Sequence, residues 1–225
     1  MGYVTMDEVL ADVARVGPYF SVAIDPDVAD HPLWRPLTEL YGPALSDQIA
    51  TVRVRLGTSE DRVAASLLFQ GVAGRLWSPA LATAVVHGRV PDLDPAHTYW
   101  RAASPGPILL ATPGAAALPA DPPTLRRVVI EDHLAPLVAA VRAVTPVAEG
   151  LLWGNAASAL VGALTVLSRA RPTVSGAARR CVEELLAGSP LAGTGGFGRY
   201  GFRRRSCCLY YRVPGGGKCD DCALL

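Results

Sequence analysis

Four of the five cysteines in this 225-residue chain fall within 16 residues, at Cys207, Cys208, Cys219 and Cys222, in the pattern CC-x10-C-x2-C. Thiolates so spaced are metal ligands by type. In the C-x2-C half, two intervening residues let both sulfurs turn to one metal. The CC half is less usual, because neighbouring side chains of an extended chain point to opposite faces. Either the chain turns between Cys207 and Cys208, or the centre is wide. A [2Fe–2S] rhomb is wide, with two thiolates on each iron, which would put Cys219 and Cys222 on one iron and Cys207 and Cys208 on the other. A single zinc ion inside four thiolates is the competing reading, and a redox or unligated set of thiols is a third. Adjacent cysteines strain one tetrahedron more than a rhomb, so the spacing favours iron–sulfur without closing the alternatives.

The surroundings suit an anionic centre. Arg203, Arg204, Arg205, Arg212 and Lys218 flank the cysteines, and the intervening loop Val213-Pro-Gly-Gly-Gly-Lys218 lets backbone N–H groups come close. Cations and N–H donors stabilise the more negative, reduced state and raise the potential, by about 59 mV for each tenfold change in relative stabilisation of a one-electron couple. Leu209, Tyr210 and Tyr211 are placed to shield the centre from water. The fifth cysteine, Cys181, shares a helix face with Val174, Ala178, Val182 and Leu185 and reads as a packed core thiol.

The rest of the chain must hold this tail. Apolar residues recur at helical spacing over 5–16, with Thr5 or Asp7 as cap and Gly17-Pro18 as stop. Residues 24–36 read as loop. Thr51-Val-Arg-Val-Arg-Leu56 alternates and predicts a short strand. Thr58-Ser-Glu-Asp61 caps a helix over 60–76, and Pro79 opens another to His87. Short strands are expected at 98–102 and 107–111, and helices at 125–144, 147–170 and 173–187. Gly188 to Arg205 holds six glycines and four arginines without aliphatic periodicity, a flexible connector or wrapped loop. The expected fold class is α+β, predominantly helical, with a small antiparallel sheet and a short C-terminal cysteine-rich segment. The division is a helical body over 1–190 and a cluster-binding segment over 191–225.

Other chemistries are disfavoured. Half of the residues are hydrophobic and the net charge is +1, which speaks against disorder and against a large nucleic-acid footprint. Asp7, Glu8 and Asp12 near the start do not resemble a secretory signal, so a reducing, cytoplasmic compartment is expected, where clustered cysteines bind metal or do redox work. Residues 150–168 carry no charge, but Asn155, Ser158, Thr165 and three glycines make them a buried helix rather than a span. Gly154, Ser158 and Gly162 give that helix one small face that admits a close neighbour. Cys222-Ala-Leu-Leu225 formally matches a prenylation box but is better used in the cysteine pattern. Asp25, Asp27 and Asp30 fail the EF-hand spacing. Gly193-Thr-Gly-Gly-Phe-Gly198 follows a helix, not the strand a dinucleotide loop requires. His31, His87, His97 and His133 show no metal-ligand spacing.

The tail from Arg204 to Cys222 resembles the C-terminal segment of FhuF-like ferric-siderophore reductases. Ala64-Ala-Ser-Leu-Leu-Phe-Gln70, Leu76-Trp-Ser-Pro-Ala-Leu81 and Leu151-Leu-Trp-Gly-Asn-Ala-Ala-Ser158 agree with it. The resemblance runs from about residue 60 to the end of the chain. It implies a [2Fe–2S] cluster on Cys207, Cys208, Cys219 and Cys222, and one-electron reduction of siderophore-bound Fe(III) in the cytoplasm, in some members at the inner face of the membrane. It further implies a ferric siderophore of hydroxamate type as substrate and an external electron donor such as a ferredoxin or a flavin reductase. Asp220 stands where a glycine is expected, a departure that adds negative charge. Candidate substrate contacts are Arg203, Arg204, Arg205, Arg212, Trp153 and Asn155. Each has a plain alternative: cluster charge compensation for the arginines, core packing for Trp153 along with Trp77 and Trp100, and a structural hydrogen bond for Asn155. A zinc-stapled binding module and an iron–sulfur sensor are the remaining alternatives.

Overall fold

The computed structural model describes residues 4–103, 106 and 108–225. Seven α-helices carry most of the mass: α1 (Met6–Ala14), α2 (Leu45–Leu56), α3 (Asp61–His87), α4 (Pro122–Leu125), α5 (Ala135–Val144), α6 (Glu149–Ala170) and α7 (Ser175–Ala187). A π-helical stretch, Arg126–Leu134, joins α4 to α5 without a break. The strands are β1 (Arg35–Pro36), β2 (Arg89–Pro91), β3 (Tyr99–Ala102), β4 (Ile108–Ala111), β5 (Ala117–Pro119), β6 (Gly195–Gly198) and β7 (Gly201–Arg204). All their pairings are antiparallel, in the order β1-β3-β4, with β2-β5 and β6-β7 as separate ribbons. The α+β, predominantly helical expectation holds.

The α3/α6 pair is the spine. In α3 every residue from Val72 to Ala84 is buried, and α6 buries Leu152, Ala156, Leu160, Ala163, Leu164 and Leu167. α6 is long and apolar enough to cross a membrane by length and composition, yet most of its apolar window is buried inside the protein. The Gly154, Ser158, Gly162 stripe does not form this contact as a unit: Ser158 faces Gln70 of α3, but Gly154 faces Ser206 and Gly162 faces open space. α1 closes one end: Thr5 Oγ1 accepts from Glu8 N and Glu8 Oε2 accepts from Thr5 N, a reciprocal cap.

Three expectations are corrected. Residues 51–56 are helical, because Leu45, Gln48, Ile49 and Val52 form a buried, mainly apolar stripe at helical spacing that outweighs the local alternation. Helices 60–76 and 79–87 are one helix with Pro79 inside it. Burial on every side sustains the turn across a residue that costs an exposed helix about 3 kcal/mol. The glycine-rich connector contains a hairpin, β6-β7, pinned by Phe197 against Phe202, whose rings meet edge-on at 5.4 Å. The strand expected over 107–111 runs from Ile108 to Ala111; residue 107 lies outside the described residues.

Candidate metal centre

The hairpin β6-β7 delivers the chain to Ser206-Cys207-Cys208. Leu209 then adopts a left-handed conformation, with φ of +70°, rare for a residue with a branched side chain and costing about 1–2 kcal/mol. The turn aims Leu209 N–H at Cys207 Sγ, 3.4 Å away. A short 3₁₀ turn, Tyr210–Arg212, leads into the glycine loop. Gly216 packs so tightly there that a Cβ would lie 2.4 Å from the Tyr210 carbonyl oxygen. The last two cysteines sit on a turn closed by Cys222 N–H donating to Cys219 O at 3.0 Å.

The loop folds one cysteine pair back on the other. Cys208 Sγ and Cys219 Sγ are 3.8 Å apart, across the loop, and the thiols that act on Cys207 are those of Cys208 and Cys222. The close sulfur contact therefore joins one cysteine of each sequence pair, where the spacing had suggested pairing within CC and within C-x2-C. Among the described residues, no three His, Cys, Asp or Glu side chains converge as ligands of one ion. Cys208 and Cys222 are buried, and Cys207 and Cys219 half-buried. Burial pushes the Cys207 thiol up, and pushes Cys219 up to about 12 against the opposing charge of Arg204.

N–H donors already point at three of the sulfurs: Leu209 N at Cys207, Leu224 N at Cys222 (3.4 Å), and Arg204 Nη2 at Cys219 (2.6 Å). This is the donor set a ligated [2Fe–2S] cluster uses, so the residues fit that group. The glycines expected to supply these donors do not; Gly216 N–H donates to Val213 O instead.

Arg204 anchors the segment to the spine. It is 2% exposed, and its guanidinium also donates to Asn155 Oδ1 (2.8 Å) and pairs with Asp221 (3.0 Å). Burial works against its charge, but Asp221 and the neighbouring thiols hold the guanidinium protonated. Asn155 in turn donates to the Ser66 carbonyl (3.0 Å) and to Ser66 Oγ (2.9 Å), and Ser66 Oγ donates to Cys208 O at 2.7 Å. One buried polar network thus joins α3, α6 and both cysteine pairs. Ser206 completes the docking, with its hydroxyl donating to Gly150 O at 3.2 Å over the bare face of Gly154.

Between α3 and α6 runs a cleft of 550 Å³ with Cys208, Cys219 and Tyr210 at one end and Tyr19, Gln70, Ser78, Ser158 and Gly162 along its walls. Among the described residues, no Arg, Lys, His, Asp or Glu lines it. Arg75 stacks beneath Tyr19, 4.9 Å from the ring centre, and donates to the Pro18 carbonyl, fixing that wall. Gln70 Nε2 faces Ser158 Oγ at 3.4 Å, while its Oε1 has no partner among the described residues.

None of the six candidate substrate contacts lines this cleft. Arg204 and Asn155 are buried and spend their polar atoms internally. Trp153 is packed in the core, with Nε1 donating to Glu149 at 3.2 Å. Arg212 is clamped on both oxygens of Glu60 at 2.7 Å. Arg203 and Arg205 point outward from β7. The cleft residues Tyr19 and Gln70 were missed by sequence reasoning, while Tyr210 was expected only as a shield for the centre; the small residues of α6 were the signal for a groove beside that helix. Cys181 lies apart on α7, half-buried, with burial raising its thiol to about 11.

Two family descriptions match the chain. "Ferric iron reductase FhuF-like transporter" matches residues 66–207, and "FhuF 2Fe-2S C-terminal domain" matches residues 204–224. No curated protein matches it. The first match covers most of α3 and all of α6, with Ser66, Asn155 and Arg204 of the buried network, and the second covers Arg204 and all four clustered cysteines; the chain belongs to the FhuF-like ferric iron reductase family and carries that family's [2Fe–2S] C-terminal domain.

Proposed function

We propose that the protein is a cytoplasmic oxidoreductase that reduces siderophore-bound Fe(III) to Fe(II) by one electron, with the ferric chelate seated in the α3/α6 cleft. Cys207, Cys208, Cys219 and Cys222 would hold the cluster, which supplies one electron at a time when bound. The observation that carries the reading is that Cys208 and Cys219 form part of the cleft wall. A chelate resting there needs no long electron path. The apolar walls exclude water, and the substrate iron takes up one electron with no bond made or broken by the protein. Fe(II) is held weakly by hard oxygen donors, so the ligand lets go. No nucleophile or acid–base pair is required.

The uncharged lining supports a hydroxamate substrate. Three hydroxamates neutralise Fe(III), whereas a tris-catecholate complex keeps three negative charges that this cleft would bury unpaired, a costly state. The electron donor is a separate protein, a ferredoxin or a flavin reductase.

Stopped-flow mixing of anaerobically reduced protein with ferric tris-hydroxamate and ferric tris-catecholate tests this. Rapid cluster oxidation by the first and slow oxidation by the second is expected. Colourless protein with stoichiometric zinc, or slow oxidation by both chelates, would overturn it. Gly162→Phe fills the cleft from a position where an added Cβ meets nothing within 4 Å. It should slow oxidation by the hydroxamate at least tenfold while leaving the spectrum intact.

A further inference from the structure

The two sides of the cysteine segment differ in chemistry. On the cleft side, Cys208 and Cys219 face uncharged walls. On the other, β7 and the residue after it alternate: Phe202 and Arg204 are buried, while Arg203 and Arg205 are exposed. Arg199 and Tyr200, the latter 88% exposed, occupy the hairpin turn. Arg204 and Arg212 spend their charge on Asp221 and Glu60. Arg199, Arg203 and Arg205 have no acid partner among the described residues. In a chain of net charge +1, three uncompensated guanidinium groups on one hairpin are a local excess. The hairpin is also close to the sulfurs, because Arg203 Nη1 reaches Cys222 O at 3.4 Å and Cys222 is buried directly behind it.

We infer that the outer face of the β6-β7 hairpin, with Arg199, Arg203 and Arg205, is the docking surface for an acidic one-electron carrier protein, and that electrons arrive there on the Cys222 side while the acceptor occupies the cleft. This rests on the reductase reading above. The step balances as a single electron lost by the carrier and gained by this protein, with no atom transferred. Opposite charges steer such encounters and raise their rate without a large apolar contact. That suits a convex, arginine-bearing hairpin tipped by a lone tyrosine. A lipid-reading cluster uses about four to eight basic residues, more than this hairpin offers. Separate faces for donor and acceptor also allow both to be bound at once.

The test uses the cluster-loaded protein and a photoreduced plant-type [2Fe–2S] ferredoxin as the acidic carrier, at low ionic strength and without siderophore. Arg203→Glu/Arg205→Glu should weaken the measured Kd for the ferredoxin and slow its reduction of the cluster, each by about tenfold or more, and added salt should slow the wild type. In Arg199→Glu, photoreduction by deazaflavin, which is small and uncharged at its ring, should stay within about twofold of wild type, as should oxidation by a ferric hydroxamate. Those controls separate failure of this surface from failure of the reductase reading. Arg199→Glu, in the turn and away from every cysteine, repeats the test without disturbing the tail and should weaken the carrier by several-fold. An unchanged Kd in both variants overturns the inference. So does loss of binding to phosphatidylglycerol vesicles with the ferredoxin unaffected, which would make the hairpin a membrane contact.

Discussion

Arg204 places its guanidinium 2.6 Å from Cys219 Sγ while Asn155 holds the same group from the opposite direction at 2.8 Å. A buried cation is expensive unless paired and hydrogen-bonded. Here Asp221 supplies the charge, Asn155 the neutral acceptor, and sulfur takes a remaining donor. The same side chain therefore fixes the tail against α6 and stabilises negative charge on the thiolate side.

Replacing Arg204 separates those roles. Arg204→Gln removes the charge and the donor to Cys219, so the cluster potential should fall by about 60 mV, the equivalent of a tenfold loss in stabilising the reduced state. Asn155→Ala keeps the charge but strips one guanidinium partner and the donor to Ser66. It should cost about 1–3 kcal/mol of stability with a smaller change in potential. Spectroelectrochemistry and urea denaturation read the two effects; equal potentials in wild type and Arg204→Gln would remove the electrostatic role.

The four clustered cysteines should behave as one set. Serine at Cys207, Cys208, Cys219 or Cys222 should abolish or destabilise the cluster, read as loss of the visible spectrum and of the signal after reduction in electron paramagnetic resonance. Cys181→Ser should leave both intact, since that thiol is half-buried on α7 and touches none of the others. A spectrum lost with Cys181 would redraw the ligand set.

Gly154 and Ser206 make a matched pair. A Cβ at 154 would lie 2.2 Å from Ser206 Oγ, so Gly154→Ala must push that hydroxyl off the Gly150 carbonyl. The single variant should lose about 1 kcal/mol and bind its cluster less firmly. Ser206→Ala in the same background frees the space and should recover most of the loss. A double-mutant cycle by thermal denaturation reads the coupling; additive effects would mean that the contact does not matter.

These relationships show what the sequence makes legible. The cysteine pattern and its arginines locate the centre because ligands close in sequence need little tertiary help. The long apolar helices are legible from periodicity. The cleft is not: Tyr19 lies in the short turn after α1, more than fifty residues from Gln70, and only the packing of that turn on α3, beside Gly74 and Arg75, brings them to one cleft. The inward turn of Arg204, between two outward arginines, follows from pairing of β7 with β6, and six glycines hide that strand period from a sequence reading. Residues 51–56 mislead for the opposite reason. A two-residue alternation of Val and Arg satisfies a strand locally, while the residues that settle it as helix, Leu45 and Gln48, lie upstream.

His133 sets a pH dependence of stability remote from the centre. It is fully buried, with Nε2–H donating to Leu93 O at 2.6 Å and Nδ1 hydrogen-bonded to Tyr41 Oη at 2.6 Å, an arrangement that satisfies the neutral ring. Burial pushes the imidazole down to about 4, against the opposing pull of the Leu93 carbonyl and Asp94. In the unfolded chain it titrates near 6.5. Above about pH 6.5 neither state holds the proton and the stabilisation is complete. As the pH falls from there toward 4, the unfolded chain takes up a proton that the folded protein refuses, and stability drops by about 1.4 kcal/mol per unit. His133→Gln keeps hydrogen-bonding capacity without the titration. It should be less stable than wild type at pH 7, and the gap should narrow at pH 5. Urea midpoints at the two pH values measure this, and carboxylates common to both proteins cancel in the difference. A constant gap across that range would show that His133 is protonated inside the fold.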